Sequence, residues 1–238
     1  VLVRIVAAGV CYSDYHIMLG EWTHPLPVVL GHEGAGVVEH VGAGVSYVRP
    51  GDHVVLSFVS YCGECQMCQR GRVNLCDGFS ARRGYLLDDT CRLHNKAGKP
   101  IPQMARIGTM SEYTVVPKQS LVKIDSHYSL EKAALVGCGV TTGVGAVLNT
   151  AKVEPGSSVA VIGTGGVGLN AIQGAVLASA ERIIAVDRVD KKLDFARGFG
   201  ATDVVNASEG DPVEAVKQLT GGKGVDYAFE VIGNPKTI

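Results

Sequence analysis

Hydrophobic residues follow two different patterns along this chain. The first half contains short runs rich in β-branched residues between Gly and Pro, which is typical of strands joined by turns. The second half alternates apolar runs of strand length with helical segments. Strands are predicted at 1–6, 34–41, 52–56, 111–116, 121–124, 157–162, 182–187, 203–205 and 225–231, and helices from 129 to about 151, after 168, and at 191–198 and 212–219. We therefore expect a β-rich domain followed by an α/β domain with a parallel sheet covered on both faces.

The segment 157–187 links a strand, a glycine-rich turn, a helix and a second strand. Its turn places Gly163, Gly165 and Gly168 in the G-x-G-x-x-G spacing of dinucleotide-binding folds. These glycines allow a tight turn, the close approach of a pyrophosphate, and close packing of the helix on the strand. The helix N-terminus adds free N–H groups for the phosphates. The sequence predicts a dinucleotide site, although a simple tight turn would share the glycine pattern.

The second strand of this segment ends on Asp187, nineteen residues after Gly168. A carboxylate here accepts hydrogen bonds from the ribose hydroxyls of adenosine and repels a 2′-phosphate, which favours NAD over NADP. Arg188 leaves an alternative open, because an Arg at this place can serve a 2′-phosphate, cover the adenine or remain in solvent. We include Gly166 and Val167 in the predicted NAD-binding turn.

Composition and charge narrow the class of protein further. The chain has 238 residues, 46% of them hydrophobic, and a net charge of −1. This is enough for two domains, and nothing in it favours a nucleic-acid or anionic-membrane partner. We find no signal-peptide pattern and no apolar run of about 20 residues, the length that a membrane span needs. Both ends interrupt predicted elements, so we expect a fragment truncated at both ends.

Four of the seven Cys lie within the segment 61–78 in the spacing C-x2-C-x2-C-x7-C: Cys62, Cys65, Cys68 and Cys76. The segment has too few apolar residues for a core of its own, and four thiolates around a structural zinc would supply the folding energy. The alternatives are an iron–sulfur cluster, a disulfide pair or unrelated thiols, but the spacing departs from the bacterial ferredoxin run. Metal-bound Cys favour a reducing compartment, the cytoplasm.

Three further Cys remain, at Cys11, Cys91 and Cys138. Together with His32, Cys11 and Cys138 would form a Cys2His set that leaves one position open on zinc, the arrangement of a catalytic site. Spacing alone leaves this open, because a lone buried Cys usually behaves as a small apolar residue and a lone His is usually inert. For Cys91 we expect only a structural role.

Five motifs occur in the order and spacing of a known family. They are Gly9-Val10-Cys11-x-Ser13-Asp14-x-His16, Gly31-His32-Glu33-Gly34-Ala35-Gly36, the Cys62–Cys76 segment, Cys138-Gly139-Val140-Thr141-Thr142-Gly143 and the Gly163–Gly168 turn. Over nearly the whole chain they resemble the zinc-containing medium-chain alcohol dehydrogenases. The resemblance implies an α/β protein with a GroES-like catalytic zinc domain at 1–139, including the structural zinc lobe at 61–78, and an incomplete Rossmann NAD-binding domain at 140–238.

The resemblance also implies where a second, catalytic zinc would bind. Its ligands would be Cys11, His32 and Cys138, so each chain would carry two zinc ions. Glu33 matches a nearby carboxylate that can transiently approach the metal. Asp14 matches the residue that orients His32, the usual role of a carboxylate behind a metal-binding imidazole.

The implied reaction is the oxidation of an alcohol to an aldehyde or ketone, with NAD as the hydride acceptor. Ser13 would take the alcohol proton, which would pass through the nicotinamide ribose to His16. Thr142 would contribute to the NAD site. The partners would be a small-molecule alcohol or aldehyde and, for the full-length protein, further copies of itself.

Two other functions stay open from the sequence. One is a thiol-adduct (S-hydroxymethyl-type) formaldehyde dehydrogenase. It ranks second because Glu21 and Trp22 stand where such relatives carry an acidic cluster, and Ser80 replaces an expected Arg. The other is a non-catalytic fragment that binds zinc and a nucleotide without turnover.

Overall fold

The computed structural model describes residues 1–80 and 83–238, which form two compact units, Val1–Cys138 and Gly139–Ile238. The strands of the first unit are β1 (Leu2–Gly9), β2 (Glu33–His40), β3 (His53–Leu56), β4 (Tyr113–Val115) and β5 (Leu121–Ile124). Its helices are α1 (Tyr12–Met18), α2 (Gln66–Gln69) and α3 (Leu130–Ala133). Short 3-10 turns complete it, among them Met104–Arg106 and Ala134–Gly137.

The strands of the first unit form one antiparallel sheet in the order β4-β1-β2-β3-β5. Alternate residues of a strand face opposite sides of a sheet, so β3 supplies two apolar clusters. Val54 and Leu56 pack with Ile107 on one side, while Val55 packs with Leu130 on the other. The sheet thus presents an apolar surface on both faces, and the loops at its edges remain free to carry polar side chains.

The second unit contains a parallel sheet in the order β8-β7-β6-β9. Its strands are β6 (Ser158–Ile162), β7 (Arg182–Asp187), β8 (Asp203–Asn206) and β9 (Tyr227–Glu230). Its helices are α4 (Gly139–Gly145), which continues as a π-helical turn over Ala146–Ala151, then α5 (Gly166–Leu177), α6 (Asp190–Gly198) and α7 (Pro212–Leu219). The predicted fold class, a β-rich portion followed by a parallel α/β portion, is confirmed.

Apolar side chains cover both faces of the parallel sheet. Val161 and Ile183 pack with Ile172 of α5 on one face, while Ile184 and Val205 form a cluster on the other. The strands are therefore almost continuously apolar, as buried parallel strands are. This packing fixes the start of α5 at the end of β6, where the glycine-rich turn lies.

The structure corrects the sequence prediction for the segment between the zinc lobe and β4. We expected a surface loop over 79–110, but residues 102–109 are largely buried. Ile107 is fully buried in the core, and Gln103 donates to Thr114 Oγ1 at 2.7 Å and to the Val115 carbonyl at 3.2 Å. The partners of Gln103 lie 11 and 12 positions further along the chain, so the polarity of the segment itself did not indicate that it is buried. Residues 81 and 82 of the predicted loop lie outside the described part of the chain.

No single helix in the described ranges has the length and apolar character to cross a membrane. One bent pair, Leu130–Gly137 with Gly139–Ala151, passes this test by length and composition alone.

Candidate metal and cofactor sites

Three separate segments of the first unit bring four potential metal ligands together. Cys11 stands at the N-cap of α1, His32 and Glu33 lie at the start of β2, and Cys138 follows the 3-10 turn Ala134–Gly137. One ligand atom from each of these four residues lies within 4.8 Å of every other. His32 and Glu33 are buried, and the two Cys are half-buried. The family resemblance implied that Cys11, His32 and Cys138 share one site with Glu33 nearby, and the structure brings the ligand atoms of all four close together.

Asp14 fixes two of these segments relative to each other. Its buried carboxylate accepts the Cys11 N–H at 3.0 Å and the Gly31 N–H at 2.9 Å. The same carboxylate lies 3.6 Å from His32 Nδ1. These donors lower the pKa of Asp14 although burial acts in the opposite direction, so the group stays ionised. Asp14 therefore links the backbone at Cys11 to the backbone at Gly31, the residue before His32.

The charges at the site compensate one another. Hydrogen bonds from Cys138 and His32 lower the pKa of the Cys11 thiol against the effect of burial. Burial disfavours the His32 imidazolium, but Asp14 and Cys11 outweigh it and raise the pKa of His32 to about 9. Burial, followed by the Cys11 charge, raises the pKa of Glu33. A thiolate beside a basic imidazole is a strong donor set for a metal ion.

The donor set fits zinc in its catalytic form. Two thiolates and an imidazole are the ligands of known catalytic zinc sites, where the fourth position binds water or substrate. Glu33 offers a carboxylate oxygen as a fourth donor in the same group. The Ser13 hydroxyl lies 3.7 Å from Cys11 Sγ, so it would be next to a metal held by Cys11. The Phe58 ring meets the His32 ring edge-on at 5.9 Å, a contact that no sequence motif indicated.

The predicted proton acceptor His16 lies on the same helix as Ser13. Both belong to α1, and His16 is half-buried in its last turn. Its Nδ1 contacts the Glu21 carboxylate, and its ring stacks on Trp22 with the centroids 4.9 Å apart. No sequence motif indicated this contact between Glu21 and His16.

The sulfurs of the Cys62–Cys76 segment form a second cluster. The Sγ atoms of Cys62 and Cys68 lie 3.9 Å apart, as do those of Cys65 and Cys76, and Cys62 and Cys76 approach to 3.6 Å. Four sulfurs each about 2.3 Å from a tetrahedral zinc would be about 3.8 Å from one another. A disulfide would need about 2.05 Å, and none of the seven Cys, all within the described residues, forms one. The geometry therefore fits a closed zinc site.

Backbone and side-chain donors surround this sulfur cluster. The N–H groups of Glu64 and Cys65 donate to Cys62 Sγ at 3.4 and 3.3 Å. Arg106, which is buried and has a positive φ of 65°, donates from Nη2 to the Gly78 carbonyl at 3.0 Å. Burial lowers the pKa of Arg106, and the charge on Cys76 opposes that change. Sequence reasoning missed Arg106 because it lies in the segment predicted as a surface loop.

The glycine-rich turn of the second unit connects β6 to α5. Gly163 has a φ of 99°, and α5 begins at Gly166 with Gly165 as its N-cap. A Cβ at Gly168 would lie 1.8 Å from the Gly163 carbonyl oxygen, so only glycine allows the helix to approach the turn. A Cβ at Gly165 would meet no atom of the described residues within 4 Å. Gly165 is therefore not required by the packing of the protein itself.

Asp187 lies beside this turn, because the ends of the parallel strands β6 and β7 are adjacent. Its Oδ2 accepts the N–H and the hydroxyl of Thr164, each at 2.9 Å. Its Oδ1 accepts the N–H groups of Arg188 and Val189 at 2.8 and 3.2 Å. These donors outweigh burial and lower the pKa of Asp187, so it remains a carboxylate. Its placement and charge suit a ribose diol and oppose a 2′-phosphate.

The remaining predicted cofactor residues belong to the same unit. Arg188 is exposed directly after β7. Val167 lies in the first turn of α5, and Thr142 is an exposed residue of α4. Their part in NAD binding stays a prediction.

Comparison with known proteins gives consistent matches for both units. The family described as alcohol dehydrogenase GroES-like domain matches residues 1–126, and the family described as zinc-binding dehydrogenase matches residues 166–238. A relative named S-(hydroxymethyl)glutathione dehydrogenase, from Escherichia coli O157:H7, is 47% identical over 98% of this chain. The chain spans 64% of the length of that protein.

Solved structures agree with these matches. A protein from Burkholderia ambifaria, described as an alcohol dehydrogenase zinc-binding domain protein, is 41% identical with a TM-score of 0.93. The match covers 100% of this chain and 64% of that one. Benzyl alcohol dehydrogenase from Acinetobacter calcoaceticus is 37% identical with a TM-score of 0.88, covering 99% and 64% of the two chains.

The first prediction concerns the four-Cys cluster. Cys65→Ser removes one of four thiolates, so we expect elemental analysis to fall from two zinc ions per chain to one. The thermal unfolding midpoint should fall too, because zinc binding supplies folding energy to such a segment. Cys91→Ser is the matched control, since within residues 1–80 and 83–238 the Cys91 thiol donates to the Leu93 and Ile101 carbonyls and belongs to neither cluster. Two zinc ions retained by Cys65→Ser would contradict the assignment.

The second prediction concerns the pH dependence of zinc uptake at the Cys11, His32 and Cys138 site. Because the pKa of His32 is raised to about 9, its ring carries a proton at neutral pH that zinc must displace. Zinc affinity should therefore rise with pH, by about tenfold per unit for one displaced proton, and level off above about pH 9. Competition with a chelator measures this, and Cys11→Ser provides the background from the other site. A difference between the two proteins that is constant from pH 6 to 9 would contradict the raised pKa of His32.

The third prediction separates the two roles of glycine in the turn. Gly168→Ala should destabilise the fold by about 1–3 kcal/mol, because the methyl group overlaps the Gly163 carbonyl. Gly165→Ala should retain stability but weaken NAD binding, because its methyl group points into open space that a pyrophosphate would fill. Gly198→Ala, on α6 with nothing within 4 Å in the described structure, is the control. Denaturant unfolding and NAD titration measure both effects; unchanged NAD affinity in Gly165→Ala would argue against the site.

Proposed function

Because the chain belongs to the alcohol dehydrogenase family with a GroES-like domain, we propose that the whole protein oxidises an alcohol to an aldehyde or ketone with NAD. The observation that carries this proposal is the convergence of Cys11, His32, Glu33 and Cys138 from three distant segments. Two thiolates and an imidazole match a catalytic zinc, whereas the sulfur-only cluster at Cys62–Cys76 matches a structural one.

The residues around the cluster suggest how the reaction proceeds. Zinc bound there would act as a Lewis acid that lowers the pKa of the alcohol, and NAD would accept the hydride. The Ser13 hydroxyl, close to Cys11, takes the alcohol proton, and His16 receives it three residues further along α1. Asp14 keeps Cys11 and His32 in place. Glu33, whose carboxylate lies in the same group, would be able to approach a zinc ion held there and would have to leave room for the substrate.

The cofactor residues support NAD as the oxidant. The turn at Gly163, Gly165 and Gly168 leaves room for a pyrophosphate at the N-terminus of α5. The ionised Asp187 next to it favours the unphosphorylated ribose of NAD. Cysteines in the spacing of a metal site favour a reducing compartment, and we propose a cytoplasmic location.

A second substrate class has a specific observation in its favour. The E. coli relative at 47% identity is named for S-(hydroxymethyl)glutathione, a thiol adduct of formaldehyde. Such a substrate is also an alcohol at its reacting carbon, so the same zinc and proton acceptors would serve it. Its peptide carboxylates would need cationic partners, whereas the exposed side chain that follows α1 at Glu21 is a carboxylate. We therefore place simple alcohols first.

The test is a substrate comparison with the full-length, zinc-loaded protein. NADH formation is followed with a series of primary aliphatic and aromatic alcohols, and with formaldehyde plus glutathione. Higher kcat/KM for the simple alcohols supports the proposal, and higher kcat/KM for the adduct assigns the second function. Turnover of neither substrate, in protein that binds two zinc ions and NAD, would refute both and leave a non-catalytic binding protein.

A further inference from the structure

We propose that Glu21 and Trp22 are positioning residues that hold His16 as a proton acceptor with its proton on Nδ1. The proposal rests on the proposed function, in which His16 receives the substrate proton. Glu21 and Trp22 follow α1. None of the five sequence motifs includes them. Neither needs to touch substrate, zinc or NAD to act, because both act on the imidazole.

The backbone after α1 reverses so that both residues return to His16. Gly20 has a φ of 74°, a left-handed conformation that glycine adopts at little cost. The N–H groups of Glu21 and Trp22 then both donate to the His16 carbonyl, at 3.0 and 3.3 Å. These two hydrogen bonds close the turn at His16. The side chains of Glu21 and Trp22 contact the ring of the same residue.

The side chains enclose the imidazole on several sides. The Glu21 carboxylate contacts Nδ1. The Trp22 ring lies nearly parallel to the imidazole, with an interplanar angle of 16° and centroids 4.9 Å apart. Tyr12 meets the ring edge-on at 4.7 Å and 82°. Stacking on Trp22 thus restrains the rotation of the imidazole ring, and the contact between Nδ1 and Glu21 opposes a ring flip that would exchange the two nitrogens.

The contact with Glu21 decides which nitrogen can take a proton. A neutral imidazole has one N–H and one acceptor nitrogen, and an ionised carboxylate can only accept hydrogen bonds. Glu21 therefore selects the form with hydrogen on Nδ1, which leaves the Nε2 lone pair as the proton acceptor. When Nε2 takes the proton, the imidazolium remains paired with the carboxylate. The side chain of His16 is 28% exposed, so the proton can then leave to water.

Another histidine–carboxylate contact in the molecule differs from the His16–Glu21 contact in its exposure to solvent. His127 and Asp125 are also in contact, at 2.8 Å, but both side chains are about two-thirds exposed. The ring of His127 packs only against its neighbour Tyr128 among the described residues. Asp125 therefore provides a matched carboxylate–histidine pair that lies outside the proposed reaction path.

The kinetic test is a double-mutant cycle in the full-length, zinc-loaded enzyme. Glu21→Gln should lower kcat for alcohol oxidation on the order of tenfold with little change in KM, a fraction of the 10²–10⁴ that a placed proton acceptor contributes. In a His16→Gln background the same change should have no further effect, because its target is gone. Glu21→Asp should restore part of kcat, and Asp125→Asn should leave it unchanged. Multiplicative losses in the double variant would overturn the proposal.

A second measurement does not depend on turnover. The ¹⁵N chemical shifts of the His16 ring report which nitrogen carries the proton. We expect the Nδ1–H form in the wild-type protein and a mixture of forms in Glu21→Gln and Trp22→Ala. A wild-type ring with its proton on Nε2 would overturn the proposal. If the full-length protein failed to oxidise any alcohol, the proposed function would fall, while these spectra would still decide whether Glu21 sets the form of His16.

Discussion

The buried carboxylate of Asp14 is the constraint on which the first metal site depends. An ionised group that is 1% exposed must be satisfied by donors within the protein. Asp14 meets this requirement with the N–H groups of Cys11 and Gly31 and with the nearby His32 ring. The free-energy cost of burying one charge is thus offset by contacts that also position Cys11 and His32, two of the predicted metal ligands. The ligand geometry follows from satisfying Asp14, and the electrostatics of Cys11 and His32 follow from that geometry.

The same rule organises the other polar centres of the molecule. Asp187 collects four donors around the glycine-rich turn and remains charged beside the place where a ribose would bind. The four sulfurs of the Cys62–Cys76 segment are surrounded by N–H groups and by the buried Arg106. In each case a group that is costly to bury is made stable by specific donors. The donors around Asp14 and Asp187 also keep these two carboxylates ionised.

Much of the fold followed from local pattern. The strands β5 and β6 and the helix α7 lie where periodicity and turn residues predicted them. Other strands differ from their predicted bounds. β1 continues to Gly9, beyond the predicted end at residue 6, and β9 covers only Tyr227–Glu230 of the predicted 225–231. The clear failure was the segment 102–109, which was predicted as part of a surface loop but is largely buried in the structure. Gln103 is buried there because Thr114 and Val115 satisfy it, and such distant partners leave no local signal.

The sequence by itself determined the short-range chemistry: the sulfur spacing of Cys62–Cys76 and the glycine spacing of Gly163–Gly168. Residues a few positions apart are brought together by local chain geometry, so their spacing is enough to predict that they lie close to one another. Only the tertiary structure decided that Cys11 and Cys138, 127 positions apart in sequence, approach one another. It alone placed Glu21 against His16, because that contact depends on how the chain turns after α1. Long-range proximity is set by packing of the whole domain, and no single stretch of sequence encodes it.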